Sequence, residues 1–258
     1  MNALAASHAE LYREHGFTIV RRLIDAGELV AVLDRLEQAV LRKLDPNIYV
    51  QIEPGHENDP PDPVNPWRYI RKAAALIRND TFFQKFVAQD KFVSLAKSLL
   101  SDQIRCLGDE AQFKPPRVGS AHPWHQDQPY YSGLTAHFAT IWLALDPATK
   151  ANGCMQVVPG SHKLGEIKRR NPKQAWFDDD EIDTSHTVHA ELAPGDALVF
   201  HSRVLHGSDR NETDTPRRSF IFRYIDVSAL PADHWPLVRK HGVMLDNDNA
   251  PAIFQGEP

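Results

Sequence analysis

From residue 103 onward the chain alternates short β-forming runs with turn signals, and this alternation limits the folds open to it. Runs of β-branched, aromatic and aliphatic residues cover 104–114, 136–145, 154–158, 187–192, 197–201 and 219–227. Between them stand Pro115-Pro116, Asn152-Gly153, Pro159-Gly160 and Pro194-Gly195-Asp196, residues that favour chain reversal. Many short strands of this kind predict a sandwich or barrel rather than a parallel α/β sheet. Successive side chains of a strand point to opposite faces. Ile141, Leu143 and Leu145 therefore share one face of their run and Thr140 and Trp142 the other. In the last run Arg217 and Ser219 oppose Phe220, Phe222 and Tyr224. The apolar faces want helices against them, and the Thr140 and Trp142 face is suited to line a lumen.

The helices come first in the chain. Residues 5–15 read as a helix stopped by Gly16, and 17–20 as a short strand. Asp25 followed three residues later by Glu28 has the form of a capping box. Leu29, Leu33, Leu36 and Val40 then recur at helical spacing, which predicts a helix over 26–42. Residues 45–66, rich in Pro, Asp and Asn, predict loop or irregular hairpin, and helical patterns follow at 67–77 and 82–100. No repeat or low-complexity linker divides the chain. One domain over 1–258 is expected: a mainly helical part to residue 102, a β core over 103–228 and a C-terminal extension over 229–258. The 42% hydrophobic content is enough for a sizeable core.

Charge excludes some partners. Lysine and arginine together number 29 against 34 aspartates and glutamates, a net charge of −5, so there is no electrostatic footprint for nucleic acid. No apolar run is long enough for a membrane span or a signal peptide. Cys106 and Cys154 are too few for a disulfide framework, and a soluble, cytoplasmic protein is expected. The sequence leaves the oligomeric state open. It also lacks a Gly-rich phosphate loop, HExxH, GxSxG and paired CxxC.

The segment His-Pro-Trp-His-Gln-Asp, ending at Asp127, crowds two histidines and a carboxylate among aromatics. His125 and Asp127 are two apart, so on an extended segment both point the same way, about 7 Å apart along the chain. An open catalytic metal site needs a third ligand from elsewhere. His206, beyond the Pro-Gly-Asp turn, is the candidate, with His201 as rival; the position relative to Gly207-Ser208 and Arg217 favours His206. Two histidines and one carboxylate make the facial triad of non-haem Fe(II) oxygenases, with positions left open. A bound 2-oxo acid fills two of those positions and leaves the third for O2. Its far carboxylate needs a buried cation, for which the planar fork of arginine is suited. Arg217 lies eleven residues past His206 on the neighbouring strand, with Arg218 the alternative anchor.

HPWHQDQPY, TIWLALDPATKANGCMQVVPGSHKLG, LAPGDALVFHSRVLHGSDRN and PRRSFIFRYID, in this order, resemble the phytanoyl-CoA dioxygenase family of Fe(II)/2-oxoglutarate oxygenases. The opening LYREHGFTIVRRLID resembles it too, so the likeness runs from about residue 8 to 227. The resemblance implies a double-stranded β-helix (jelly-roll, cupin-like) core with an N-terminal helical layer packed on one sheet. It implies Fe(II) on His125, Asp127 and His206, and the C5 carboxylate of 2-oxoglutarate on Arg217, helped by Ser208 or Thr140. Gln112 matches a position whose amide contacts the cosubstrate. Related halogenases replace the carboxylate ligand by a small residue; Asp127 is retained here, which favours hydroxylation. The implied reaction uses O2, releases succinate and CO2 and hydroxylates an unactivated C–H bond of a small molecule. Desaturation, epoxidation or cyclisation, or a cupin-like module that binds without turnover, stand as alternatives.

Tyr130, Trp142 and Arg223 are candidates to shape the substrate pocket, as are Tyr131, Phe113 and Met155, with core packing the competing role for each aromatic. His122 reads as a neighbour of the ligands and His162 as a loop residue near the entrance. The acidic run 178–181 reads as solvated loop or lid.

Overall fold

The computed structural model describes residues 3–41, 45–131, 133–228, 230–243 and 251–255. Helix α1 (Ala3–His15) leads into β1 (Phe17–Val20) and α2 (Ala26–Leu36), which continues as a π-helical turn over Glu37–Leu41. The α2 start is the capping box read from the sequence: the Asp25 side chain accepts the Glu28 amide at 2.9 Å, and Glu28 accepts the Asp25 amide at 3.0 Å. Next come β2 (Tyr49–Ile52), β3 (Ile70–Ala74), α3 (Leu76–Asn79), α4 (Thr81–Val87) and α5 (Asp90–Leu99). Strands β4 (Ile104–Lys114), β5 (His122–His125), β6 (Phe138–Ala144), β7 (Met155–Val157), β8 (Val188–Ala190), β9 (Ala197–His201), β10 (His206–Ser208) and β11 (Arg217–Asp226) follow, then α6 (Trp235–His241).

The strands form two antiparallel sheets, one of seven strands in the order β1-β9-β6-β11-β4-β3-β2 and one of four in the order β5-β10-β7-β8. Trp142, Leu198, Phe200 and Ile221 of the large sheet share a buried cluster with Met155, Val157 and Ala190 of the small one. The inner faces thus pack on each other as in a double-stranded β-helix. On its other face the large sheet presents Ile141, Leu143, Phe220 and Phe222, which join Val32, Leu36, Phe83, Phe86 and Phe92 of the helices in the largest buried cluster. The face assignments read for 138–145 and 217–224 are those observed. No helix of the described residues is long and apolar enough to cross a membrane.

Two local readings change. The middle of the helical pattern at 67–77 is strand, because β3 runs beside β4 with Lys72, Ala73 and Ala74 opposite Gln112, Ala111 and Glu110. Pairing on both sides, to β4 and to β2, outweighs the helix propensity of the alanines. The helix begins only after Ala75, whose left-handed backbone (φ 63°) breaks the strand. The predicted 82–100 helix is two, separated by the extended Gln89. Six residues apart on one straight helix, Phe86 and Phe92 would diverge by about 120°. The break lets both rings reach Phe222, with centroids at 6.4 and 5.1 Å. The first 102 residues also add β1, β2 and β3 to the large sheet.

Candidate metal centre

Strand β10 lies between β5 and β7, with His206 directly opposite His125. Cross-strand partners share a face of the sheet, and the two ring centroids are 4.1 Å apart. Asp127, just past β5, brings Oδ1 to 3.7 Å from His125 Nε2 and 3.6 Å from His206 Nε2. All three are buried. Among the described residues they are the one group of His, Cys, Asp or Glu whose donor atoms converge, all within 4.8 Å.

The backbone sets the tautomers. His125 Nδ1 lies 2.8 Å from the Pro123 carbonyl and His206 Nδ1 2.9 Å from that of Val204. A carbonyl only accepts, so each Nδ1 carries the hydrogen and each Nε2 turns a lone pair to the triangle. Burial pushes both imidazoles down, His206 to about 3, so they are neutral donors. Burial alone raises the Asp127 carboxyl, but the Arg223 guanidinium and the two imidazoles outweigh it and hold the group well below the usual carboxylate range. Its second oxygen, Oδ2, accepts from Thr140 Oγ1 at 3.0 Å and Arg223 Nε at 3.3 Å. Oδ1 is thereby left for a cation. Three convergent donors, two neutral and one anionic, suit a divalent iron ion.

The glutamines beside the ligands fix their alternation. Gln126 Nε2 donates to the carbonyls of Gly165 and Arg203 at 2.9 and 2.7 Å, and its Oε1 accepts the Ile167 amide at 2.9 Å. Gln128 donates to the Leu134 carbonyl at 2.7 Å and accepts from Ser202 Oγ at 2.8 Å. With both amides tied outward, His125 and Asp127 are held inward.

Farther along the lumen Arg217 is fully buried on β11, its guanidinium 5.1 Å over the Trp142 ring. One nitrogen donates to Ser219 Oγ at 3.3 Å, while Nε and Nη2 have no partner. Burial pushes its pKa down to about 10, which leaves it charged at neutral pH. Ser208 Oγ and Trp142 Nε1 are also buried and unpartnered. A buried cation with unfilled donors fits a carboxylate, because such groups cost free energy unless paired. Beside it Lys114, the cross-strand partner of Arg217, donates to the carbonyls of Ser120 and Asp209 at 2.7 and 2.5 Å. Together these two bonds link the segments before His125 and after His206.

The remaining sequence candidates separate by position. Thr140 binds Asp127 rather than standing free for a cosubstrate, and Gln112 Nε2 is bonded to Glu110 at 3.2 Å. His201 stacks on His137 at 4.8 Å, outside the triad. Arg218 grips Asp146 at 2.8 and 2.9 Å, so Arg217 is the inward member of the pair. Trp142 lies under Arg217 and does not line the cavity that opens beside the triad, which has a volume of about 460 Å³. Tyr130, Tyr131, His122 and Arg223 do line it. Run 178–181 is largely exposed, with Asp180 paired to Arg170, and lies outside that lining. Glu110, which takes Arg223 Nη2 at 3.2 Å, escaped the sequence reading, as did Gln126 and Gln128. Their signal is polarity at alternate positions: Glu110, Gln112 and Lys114 interleave Ala111 and Phe113 along β4.

Comparison with known proteins adds a family. The model of the phytanoyl-CoA dioxygenase family (PhyH) matches residues 12–219. A probable phytanoyl-CoA dioxygenase of Caenorhabditis elegans is 26% identical, covering 86% of this chain and 75% of its own length. A probable alpha-ketoglutarate-dependent hypophosphite dioxygenase of Stutzerimonas stutzeri is 27% identical, covering 88% and 79%. Among solved structures, EvdO2 from Micromonospora carbonacea var. aurantiaca, complexed with 2-oxoglutarate, superposes with a TM-score of 0.67 at 23% identity over 90% of this chain and 94% of that one. The epimerase SnoN, in complex with Fe3+, alpha ketoglutarate and nogalamycin RO, gives 0.70 at 20% identity over 99% and 95%. These two likenesses concern the fold.

Proposed function

The chain belongs to the phytanoyl-CoA dioxygenase family, and from that premise we propose that it is an Fe(II)- and 2-oxoglutarate-dependent dioxygenase that hydroxylates an unactivated C–H bond of a small molecule. The reaction balances as substrate, 2-oxoglutarate and O2 giving hydroxylated substrate, succinate and CO2. The observation that supports it most is the pairing, in one lumen, of a buried His125–Asp127–His206 triangle with an arginine whose Nε and Nη2 are unfilled. The C. elegans and S. stutzeri relatives, named as probable dioxygenases, support the class.

His125, Asp127 and His206 would hold Fe(II), which when bound supplies the activation of O2. Thr140 and Arg223 keep Asp127 Oδ2 occupied, so the carboxylate offers one oxygen in a fixed direction. Arg217, with Ser208 Oγ and Trp142 Nε1, would receive the far carboxylate of 2-oxoglutarate. Leu198, Phe200 and Ile221 belong to the same buried apolar cluster as Trp142, and that dry surrounding strengthens the charge pairing.

Anaerobic titration of the protein with Fe(II) and 2-oxoglutarate, followed through the weak visible charge-transfer band, tests the reading. A band in wild type that is lost in Asp127→Ala supports it. Iron binding without a band overturns the 2-oxoglutarate assignment in favour of a module that binds without turnover.

A further inference from the structure

Most of the described residues that line the cavity beside the triad carry a polar or charged group. Beyond the rings of Tyr130 and Tyr131, only Gly108, Ala75 and Val243 among the described lining residues lack a polar side chain. An extended acyl chain would need a continuous apolar wall, since each buried methylene contributes about 0.8 kcal/mol only when it leaves water. At about 460 Å³ the space suits a compact ligand.

Each carboxylate facing the cavity is already engaged. Asp127 meets the two imidazoles. Glu110 is bridged by Arg223 at 3.2 Å and Lys72 at 3.5 Å. Asp109 accepts the backbone amides of Leu76 and Ile77 at 2.8 and 3.2 Å. Two lining cations remain, Arg78 on α3 and Lys240 on α6, and among the described residues neither forms an ion pair with a carboxylate. Arg78 Nη2 donates to the Gly242 carbonyl at 2.8 Å, which fixes the guanidinium and leaves its other donors available.

We infer that Arg78 and Lys240 bind the oxyanion of a compact polar substrate, a carboxylate or phosphonate, while its reacting carbon lies toward the triad. The inference rests on the oxygenase reading above. The arginine fork gives directional capture and the ammonium a point charge. Both side chains are exposed, so the attraction weakens as salt is added.

The test uses the full chain loaded anaerobically with Fe(II) and 2-oxoglutarate, with the visible band as readout. Butyrate, propylphosphonate, neutral butyramide and a neutral dodecanoyl thioester of N-acetylcysteamine are titrated into wild type and an Arg78→Gln/Lys240→Gln double variant. The expected result is that at least one anion perturbs the band at a concentration tenfold or more below the amide. The double variant then weakens that response at least tenfold while keeping the unperturbed band. The inference is overturned if the amide or thioester matches the anions, if the double variant responds as wild type does, or if neither anion perturbs an intact band. A band missing from iron-loaded wild type would instead overturn the cofactor reading on which the inference stands.

Discussion

Arg223 reaches Asp127 through the carboxylate oxygen that the imidazoles do not face: Nε lies 3.3 Å from Oδ2, while Oδ1 is the atom near His125 and His206. One oxygen is thus held by the large sheet, through Arg223 and Thr140, and the other is presented to the two histidines of the small sheet.

Loosening that hold will cost metal affinity. Thr140→Val removes the 3.0 Å bond to Oδ2 at nearly constant volume. Changes to groups that orient metal ligands typically cost roughly 10–100-fold in affinity. Fe(II) titration is expected to show a loss in that range for Thr140→Val, with 2-oxoglutarate affinity at saturating iron little changed.

Arg217, in the function proposed above, would act on the cosubstrate instead. A hydrogen bond to a charged group contributes about 1.5–3 kcal/mol, so Arg217→Met should raise the KM for 2-oxoglutarate by roughly 10–150-fold. Iron affinity is expected to stay near wild type. Arg218→Gln, which removes only the contacts to Asp146, should leave that KM unchanged. Succinate release against 2-oxoglutarate concentration separates the two variants.

Gln126 touches no reacting group, yet its loss would strand the Gly165 and Arg203 carbonyls and the Ile167 amide. Buried polar groups left unpaired cost about 1–3 kcal/mol each. With partial relaxation, Gln126→Leu is expected to lower stability by about 2–4 kcal/mol and Tm by roughly 5–15 °C. Calorimetry checks this.

Acid will destabilise the fold through His201, which lies outside the triad. Burial lowers its pKa to about 3, and its ring faces His137 and His162, both also lowered chiefly by burial. The unfolded chain binds the His201 proton near the ordinary value of about 6.5, so between that pH and about 3 it holds more protons than the folded state. The stabilisation is complete above about 6.5 and is lost as pH falls, with a slope of up to about 1.4 kcal/mol per pH unit from this group. His201→Gln is expected to flatten the acid limb of a denaturation series. An unchanged slope would remove His201 from the account.

Much of the β core was legible in the sequence, because alternation along β6 and β11 is a local consequence of strand geometry. The triad was legible for the same reason: His125 and Asp127 are two apart, and His206 follows a marked turn. The strand at Ile70–Ala74 was hidden, since its identity comes from pairing with β4, a partner distant in sequence. Glu110 was hidden likewise: nothing near it in the chain announces that Arg223 lies opposite. Thr140 was recognised as lumen-facing, but whether it served the cosubstrate or Asp127 depended on depth in the lumen, which alternation does not encode.

The inner end of the cavity is built from the two sheets, whereas Arg78 and Lys240 come from α3 and α6, short helices outside the strands. Two loads therefore fall on different parts of the molecule. On the inference above, substitutions at the exposed Arg78 and Lys240 would alter what enters without shifting the register that pairs His125 with His206, so a change of diet need not disturb the hearth. The same separation makes the exposed positions 78 and 240, rather than the buried Leu76, Ile77, Trp235 and Val238 beside them, the natural ones to exchange when grafting a new appetite onto this scaffold.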